Sequence, residues 1–241
     1  MDVIILCGGR GTRAYPFSEF FPKPMMPICG TPILVHIMRT YAQQGFTRFV
    51  LAAGHRIEVV RDYFEGRFTD WHIDVVDTGP DSETGERVRR CAPYVGEIFH
   101  ATYGDGLGDI DLNALVAFHQ GHGGLATITS VPLRTQYGTL VSDGSGRVSG
   151  FHEKPVIPEY RINAGFFVFS KKVFEHWKGQ NLESEVLPNL IPLKVLYAYQ
   201  HDGFWKSMDT SRDQADLEKL YLEGRARWTV DRPPAPPAVT F

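Results

Sequence analysis

The chain opens on an unbroken apolar run, Val3-Ile4-Ile5-Leu6, that breaks at once into Cys7-Gly8-Gly9-Arg10-Gly11-Thr12-Arg13. A strand-length run with no polar face predicts a strand buried on both sides, the usual condition in a parallel sheet. Thr31-Pro32 then reads as an N-cap followed by proline at the first helical position. Ile33, Leu34, Ile37, Met38 and Tyr41 fall on one helical face that stops at Gly45. The alternation continues with a strand at 49–53 ending in Gly54, a helix around 57–64 and a strand near 73–76. A polar, turn-rich stretch from Asp77 to Gly85 precedes a short helix carrying Val88 and Cys91. A strand at 98–103 runs into Gly104-Asp105-Gly106, and a helix follows at 112–120. Strand–helix–strand units at this spacing need crossovers, which predicts an α/β fold with a mainly parallel sheet.

The second half changes rhythm. Short strands at 126–131, 139–141, 148–152 and 163–169 are separated by turns such as Asp143-Gly144-Ser145-Gly146. They are expected as antiparallel additions to the same sheet. Phe166, Phe167 and Phe169 read as core. Helices at 172–177 and 182–190, a strand at 195–199 and a last helix at 212–223 complete the pattern. Residues 1–228 are expected as one domain. Residues 229–241, with Pro233-Pro234-Ala235-Pro236-Pro237, are expected as a tail without regular hydrogen-bonded structure.

Bulk properties narrow the choice of partner. A net charge of −3 across 241 residues excludes a nucleic-acid coat or a binder of anionic membranes. Any anion site must then be local, and the basic N-terminal loop is where it would lie. Three scattered cysteines, Cys7, Cys29 and Cys91, form neither a disulfide framework nor a zinc knuckle. No apolar run is long enough for a bilayer or a secretory segment, so a cytoplasmic, reduced protein is expected.

Four clusters carry chemistry. The first is the glycine loop. It lacks the third glycine of a dinucleotide fingerprint and the Gly-Lys-Ser/Thr of a Walker A loop. Alone it is as well explained by a tight turn. Thr12-Arg13 and the bracketed Pro22-Lys23-Pro24 shift the balance, because flanking prolines lower the entropy cost of holding Lys23 on a phosphate. The second cluster is Tyr103-Gly104-Asp105-Gly106 at a strand end, where open α/β sheets bind ligands. The third is Met208-Asp209-Thr210, in which Asp209 is either a helix N-cap or a second carboxylate partnering Asp105. Two carboxylates plus substrate phosphates make a Mg²⁺ site. The fourth joins Gly138, Glu153-Lys154-Pro155 and Asn163-Ala164-Gly165: acceptors for sugar hydroxyls beside an ammonium for a phosphate, or simply an edge-strand charge pair. His119 and His122 have no carboxylate or cysteine partners and read as surface or helix-end histidines. Ser170 and Ser211 lack a nucleophile elbow. A nicotinamide enzyme is disfavoured because Ala52-Ala53-Gly54 supplies no acidic residue at the second strand end.

Taken in order, these pieces resemble the sugar-1-phosphate nucleotidylyltransferases over nearly the whole chain to about Trp228. The matching segments are 6–13, Pro22-Lys23-Pro24-Met25, 30–38, Asp77-Thr78-Gly79, 103–106, Glu153-Lys154-Pro155, 163–168 and 204–210. The Asp-Thr-Gly segment, the Phe204-Trp205…Met208-Asp209-Thr210 ending and His36-Ile37-Met38 are similar to the branch that joins CTP to glucose 1-phosphate. The resemblance implies a Rossmann-like three-layer fold and condensation of a nucleoside triphosphate with a sugar 1-phosphate. It implies that Leu6, Gly8, Gly9, Thr12, Arg13, Lys23 and Asp105 hold the nucleotide, with Thr84 and Gly85 against the base. Asp105 and Asp209 would bind Mg²⁺, and Tyr103, Gly138, Glu153, Lys154 and Asn163 the sugar phosphate. Arg13, Lys23, Asp105 and Asp209 would be catalytic, and a homo-oligomer is expected. The other readings are another base (dTTP, UTP or GTP), a heptose 1-phosphate or phosphocholine acceptor, or a non-catalytic sugar-nucleotide sensor. Two departures stand out: the segment after Phe64 is short, and Glu86 replaces the second glycine of the family's Thr-Gly-Gly-Arg.

Overall fold

A computed structural model of the chain describes residues 1–9 and 21–229, so Thr12, Arg13 and the proline-rich tail lie outside the described residues. β1 (Asp2–Leu6) is buried at every position. Its Val3 and Ile5 join one apolar cluster, its Ile4 and Leu6 the other, so a strand without a polar face feeds two cores. The chain continues through α1 (Ile33–Ala42), β2 (Arg48–Ala53), α2 (Ile57–Phe64), β3 (His72–Asp77), α3 (Thr84–Arg90) and β4 (Ile98–Tyr103). After these come β5 (Gly106–Gly108), α4 (Leu112–His122), β6 (Ala126–Arg134), β7 (Thr139–Ser142), β8 (Val148–His152) and β9 (Val156–Ser170). β10 (Leu196–Gln200), β11 (Trp205–Ser207) and α5 (Ser211–Leu222) close the described fold.

Seven strands form the central sheet in the order β10-β6-β9-β4-β1-β2-β3. β1 runs parallel to β2 and β4, β2 to β3, and β10 to β6. β9 runs against both β4 and β6. The sheet is thus mixed and mainly parallel between two helical layers, the expected three-layer arrangement. Phe166 belongs to one core and Phe167 and Phe169 to the other, as the period of two on β9 demands.

Three expectations change. β7 and β8 do not join the sheet but pair only with each other. Their connection is a self-sufficient turn in which Asp143 Oδ1 accepts from the amides of Ser145 and Arg147 at 3.0 and 3.1 Å. A hairpin whose register is fixed by its own turn needs no neighbouring strand, and Leu140 and Phe151 remain exposed. Second, α1 is not capped by Thr31, which pairs in a two-residue ribbon with Ile28, and Pro32 takes the N-cap position. Nor is α1 one-sided: His36 and Thr40 are buried as well. The C-terminal segment covers that side, with Tyr221 and Trp228 edge-on to His36 and Thr40 Oγ1 donating to the Trp228 carbonyl at 2.9 Å. Third, residues 182–190 are a wide helical turn (Leu182–Val186) followed by one α-turn (Leu187–Leu190).

Two buried histidines, His100 and His119, are structural. His119, buried, is linked to Thr127 Oγ1 and Ser170 Oγ at 2.9 Å each. Burial pushes its pKa down to about 4, with His122 adding to the effect. His100 lies fully buried against the rings of Tyr41 and Phe46, and burial pushes its pKa down to about 3. An unfolded imidazole takes up its proton near 6.5, whereas folded His100 stays neutral until about 3. The stability this group contributes is therefore complete above about pH 6.5 and lost as pH falls through that window, at about 1.4 kcal/mol per unit. Urea midpoints should drop between pH 7 and pH 5, and His100→Leu should flatten the slope. An identical slope in the variant would assign the titration to other groups.

Candidate active site

A cleft of about 830 Å³ opens beyond the C-terminal ends of β1 and β4, lined in part by Leu6, Gly8, Gly9, Lys23, Thr84, Tyr103, Asp105, Asn163 and Asp209. Sequence-distant residues meet here because each follows a strand end or a turn aimed at that edge. Lys23 opens a single 3-10 turn (Lys23–Met25) between Pro22 and Pro24, with Pro24 and Met25 buried. The backbone carrying the lysine is thus pinned on both sides.

β5 and β11 pair antiparallel with Ser207 opposite Gly106, and the Met208 amide donates to the Asp105 carbonyl at 2.8 Å. That ribbon sets Asp105 and Asp209 side by side. Asp209 is not the N-cap of α5. Thr210 caps it, in a capping box with Asp213, and this leaves the Asp209 side chain pointed at the cleft. Lys23 Nζ donates to Asp105 Oδ2 at 2.7 Å and to Asp209 Oδ1 at 2.8 Å. Burial alone would depress the ammonium, but Asp105 and then Asp209 outweigh it and hold the Lys23 pKa above its ordinary value. One cation therefore already meets both carboxylates.

The opposite wall is a chain of hydrogen bonds. Asn163 Nδ2 donates to the Tyr103 hydroxyl at 3.1 Å, and that hydroxyl donates to Glu183. Thr84 Oγ1 donates to the other Glu183 oxygen at 2.7 Å and accepts from the Leu182 amide at 2.9 Å. Burial, then Glu183, push the Tyr103 phenol pKa up, so it remains a protonated donor. Gly165, beside this wall, has φ +78, and a Cβ there would stand 2.2 Å from the Tyr103 ring.

Beneath the glycine loop lies Arg87, only 3% exposed. Its guanidinium donates to the carbonyls of Gly8 and Gly79 at 2.9 Å, to Thr78 Oγ1 at 2.6 Å, and to the Ala53 and Pro80 carbonyls at 3.3 Å. Gly8 is glycine for a packing reason: a Cβ would fall 2.1 Å from Arg87 Nη1. Glu86, the residue that departs from the family pattern, is itself buried and paired with Arg89 and Arg90 at 2.8 Å.

The remaining sequence-derived residues are placed elsewhere. Gly85 packs under the Gln180 carbonyl and Val186 rather than lining the cleft. Gly138, Glu153 and Lys154 sit on the exposed β7–β8 hairpin, with Gly138 against the Phe151 ring and Lys154 3.9 Å from Glu153. They are neighbours of one another, and none of the three is among the residues that line the cleft. Arg87 and Glu183 were not anticipated. Arg87 closes the Thr84-Gly85-Glu86-Arg87 segment, whose sequence does not report its burial, and Glu183 follows Asn181 at the start of the wide helical turn. Asn181 caps that turn, accepting from the amides of Glu183 and Ser184 at 3.1 and 2.9 Å.

A mainly parallel three-layer sheet with a glycine loop, a lysine and two carboxylates at one edge defines a phosphate-handling α/β enzyme. The chain belongs to the nucleotidyl transferase family, whose model matches residues 2–210. It is 37% identical over 254 residues to a glucose-1-phosphate cytidylyltransferase of Salmonella typhimurium, covering 95% of this chain and 98% of that protein. A probable glucose-1-phosphate cytidylyltransferase of Bacillus subtilis is also 37% identical, over 256 residues, covering 95% and 100%. Among solved structures, HddC of Yersinia pseudotuberculosis shares the fold with a TM-score of 0.73 at 24% identity, covering 91% of this chain and 99% of that one. Among the described residues, no helix is long and apolar enough to cross a membrane.

Proposed function

We propose that this chain transfers the cytidylyl group of CTP to glucose 1-phosphate and releases pyrophosphate. The observation that carries the reading is the convergence of Lys23, Asp105 and Asp209 at the strand ends of a nucleotidyl transferase fold. The choice of CTP and glucose 1-phosphate follows the relatives at 37% identity.

The chemistry asks little of a general base. A phosphate monoester has a second pKa of about 6, so the sugar phosphate arrives already ionised. One of its oxygens attacks the α-phosphorus, a new P–O bond forms there, and the bond to the bridging oxygen breaks, so pyrophosphate leaves with that electron pair. What the protein supplies is alignment and fixed charge. The amides of Gly8 and Gly9 and the Lys23 ammonium receive the triphosphate. Arg13 is assigned to the leaving pyrophosphate, and Gly138, Glu153 and Lys154 to the acceptor, by family resemblance alone.

The donor set suits Mg²⁺. Both carboxylates reach a single cation position now taken by Lys23 Nζ. Among the described residues no group of three or more His, Cys, Asp or Glu could hold a metal, so phosphates and water would complete the shell. When bound, the ion would neutralise negative charge on the phosphates, held by Asp105 and Asp209.

A matrix of nucleoside triphosphates against sugar 1-phosphates, read by pyrophosphate release with and without Mg²⁺, tests the reading. CTP with glucose 1-phosphate should be the most active pair, and EDTA should abolish release. Greater activity with another pair would move the specificity and keep the reaction. Binding without release in every pair would make the protein a sugar-nucleotide sensor.

A further inference from the structure

We infer that Glu183 determines acceptor specificity, its carboxylate receiving a hydroxyl of the sugar 1-phosphate; this rests on the transfer reaction proposed above. Glu183 lines the cleft with Tyr103 and Asn163. Its two oxygens are already oriented by hydroxyl donors from opposite sides, Tyr103 and Thr84. An ionised carboxylate has about four acceptor sites, so two fixed bonds leave it oriented but not saturated.

Proton directions along this wall are set by the partners. The Asn163 side-chain oxygen accepts from the Gly165 amide at 2.8 Å, so its NH₂ faces the Tyr103 hydroxyl. The phenol accepts that bond and must donate its own proton to Glu183. The wall therefore offers an acceptor, the carboxylate, and a donor, the second Asn163 N–H, on either side of one phenol oxygen. Adjacent acceptor and donor match neighbouring hydroxyls on a pyranose.

Charge sets the direction of the acceptor in the cleft. A phosphate is repelled from Glu183, whereas neutral hydroxyls donate to a carboxylate at little electrostatic cost. The sugar phosphate therefore lies with its ring hydroxyls toward Glu183 and its phosphate away from it. Both substrate walls also meet at this one side chain, since Thr84 opens α3 and Tyr103 ends β4.

The test is steady-state kinetics of Glu183→Gln, which keeps the shape of the side chain and removes its charge. KM for glucose 1-phosphate should rise roughly 10- to 100-fold, the loss expected of a hydrogen bond to a charged group, while KM for CTP stays within about twofold. In wild type, one monodeoxy glucose 1-phosphate should lose as much as the variant does, and the variant should lose nothing further with it. Glu183→Asp, which keeps the charge but not the reach, should show the same acceptor-selective loss, and matching thermal melts establish that both variants are folded. A shift in KM for CTP alone would assign the carboxylate to the base and overturn the inference, as would unchanged constants for both substrates. A wild type that releases no pyrophosphate with any pair would overturn the functional reading, an outcome separable from a normal wild type beside an unaltered variant.

Discussion

Asp209→Asn should lower the rate of pyrophosphate release roughly 10²- to 10³-fold at saturating substrates, about 3–4 kcal/mol of transition-state stabilisation, with the fold intact. The change is one oxygen to one nitrogen. An amide can still accept from Ser207 Oγ, which now lies 2.7 Å from Asp209 Oδ2, and α5 keeps its own cap at Thr210. Lost is half of the negative charge that faces Lys23 Nζ. Because the proposed mechanism contains no general base, its rate depends on how well fixed charges are held in place. Pyrophosphate release at high Mg²⁺ and a thermal melt together decide the matter. Near-normal turnover would remove Asp209 from the catalytic set.

Arg87→Ala should have the larger effect on stability, on the order of 3 kcal/mol or more, together with a raised KM for the nucleotide. The guanidinium binds neutral oxygens of Gly8, Ala53, Thr78, Gly79 and Pro80, which belong to the ends of β1, β2 and β3 and the loops beyond. Each buried carbonyl left without a donor costs about 1–3 kcal/mol, less what water entering the gap recovers. Arg87→Lys should recover little, since one ammonium cannot span a set of acceptors that a planar fork fits. Urea unfolding measures the first effect and initial rates at varied CTP the second. An unchanged midpoint would show that the bonds can be replaced by solvent.

The parts of the site readable from sequence are those announced by local chain chemistry. Three glycines after an apolar run, a lysine between prolines and an aspartate between glycines are each unusual in composition, and the α/β topology gathers strand ends at one edge. Lys23 and Asp105, each on such a segment, meet there with Asp209. Arg87 and Glu183 carry no such local mark. An arginine is assigned to solvent until its burial is known, and only the fold brings Arg87 under Gly8, which lies 79 positions away in the chain. Glu183 reaches Tyr103 across 80 positions through a turn wider than the α-helical one, a geometry that helical periodicity does not express. The hairpin failed for the opposite reason. β7 and β8 have strand-like composition, but strand content does not say which partner a strand chooses, and the Asp143 turn made that choice locally. On α1 the periodicity was correct for one face, while burial of His36 and Thr40 depends on Trp228, far along the chain.

The contact between Gly165 and Tyr103 limits how this wall can vary. With φ +78 and the phenol ring lying where a side chain would start, position 165 can accept nothing larger than hydrogen. Tyr103, held by Asn163 on one side and Glu183 on the other, cannot move aside without releasing both. On the proposed reading, substitutions that retune the pocket for a different acceptor fall on position 183, because Asn163 also holds the Gly165 amide through its side-chain oxygen. The Gly165–Tyr103 contact is thus the fixed frame of this wall, and Glu183 is what hangs on it.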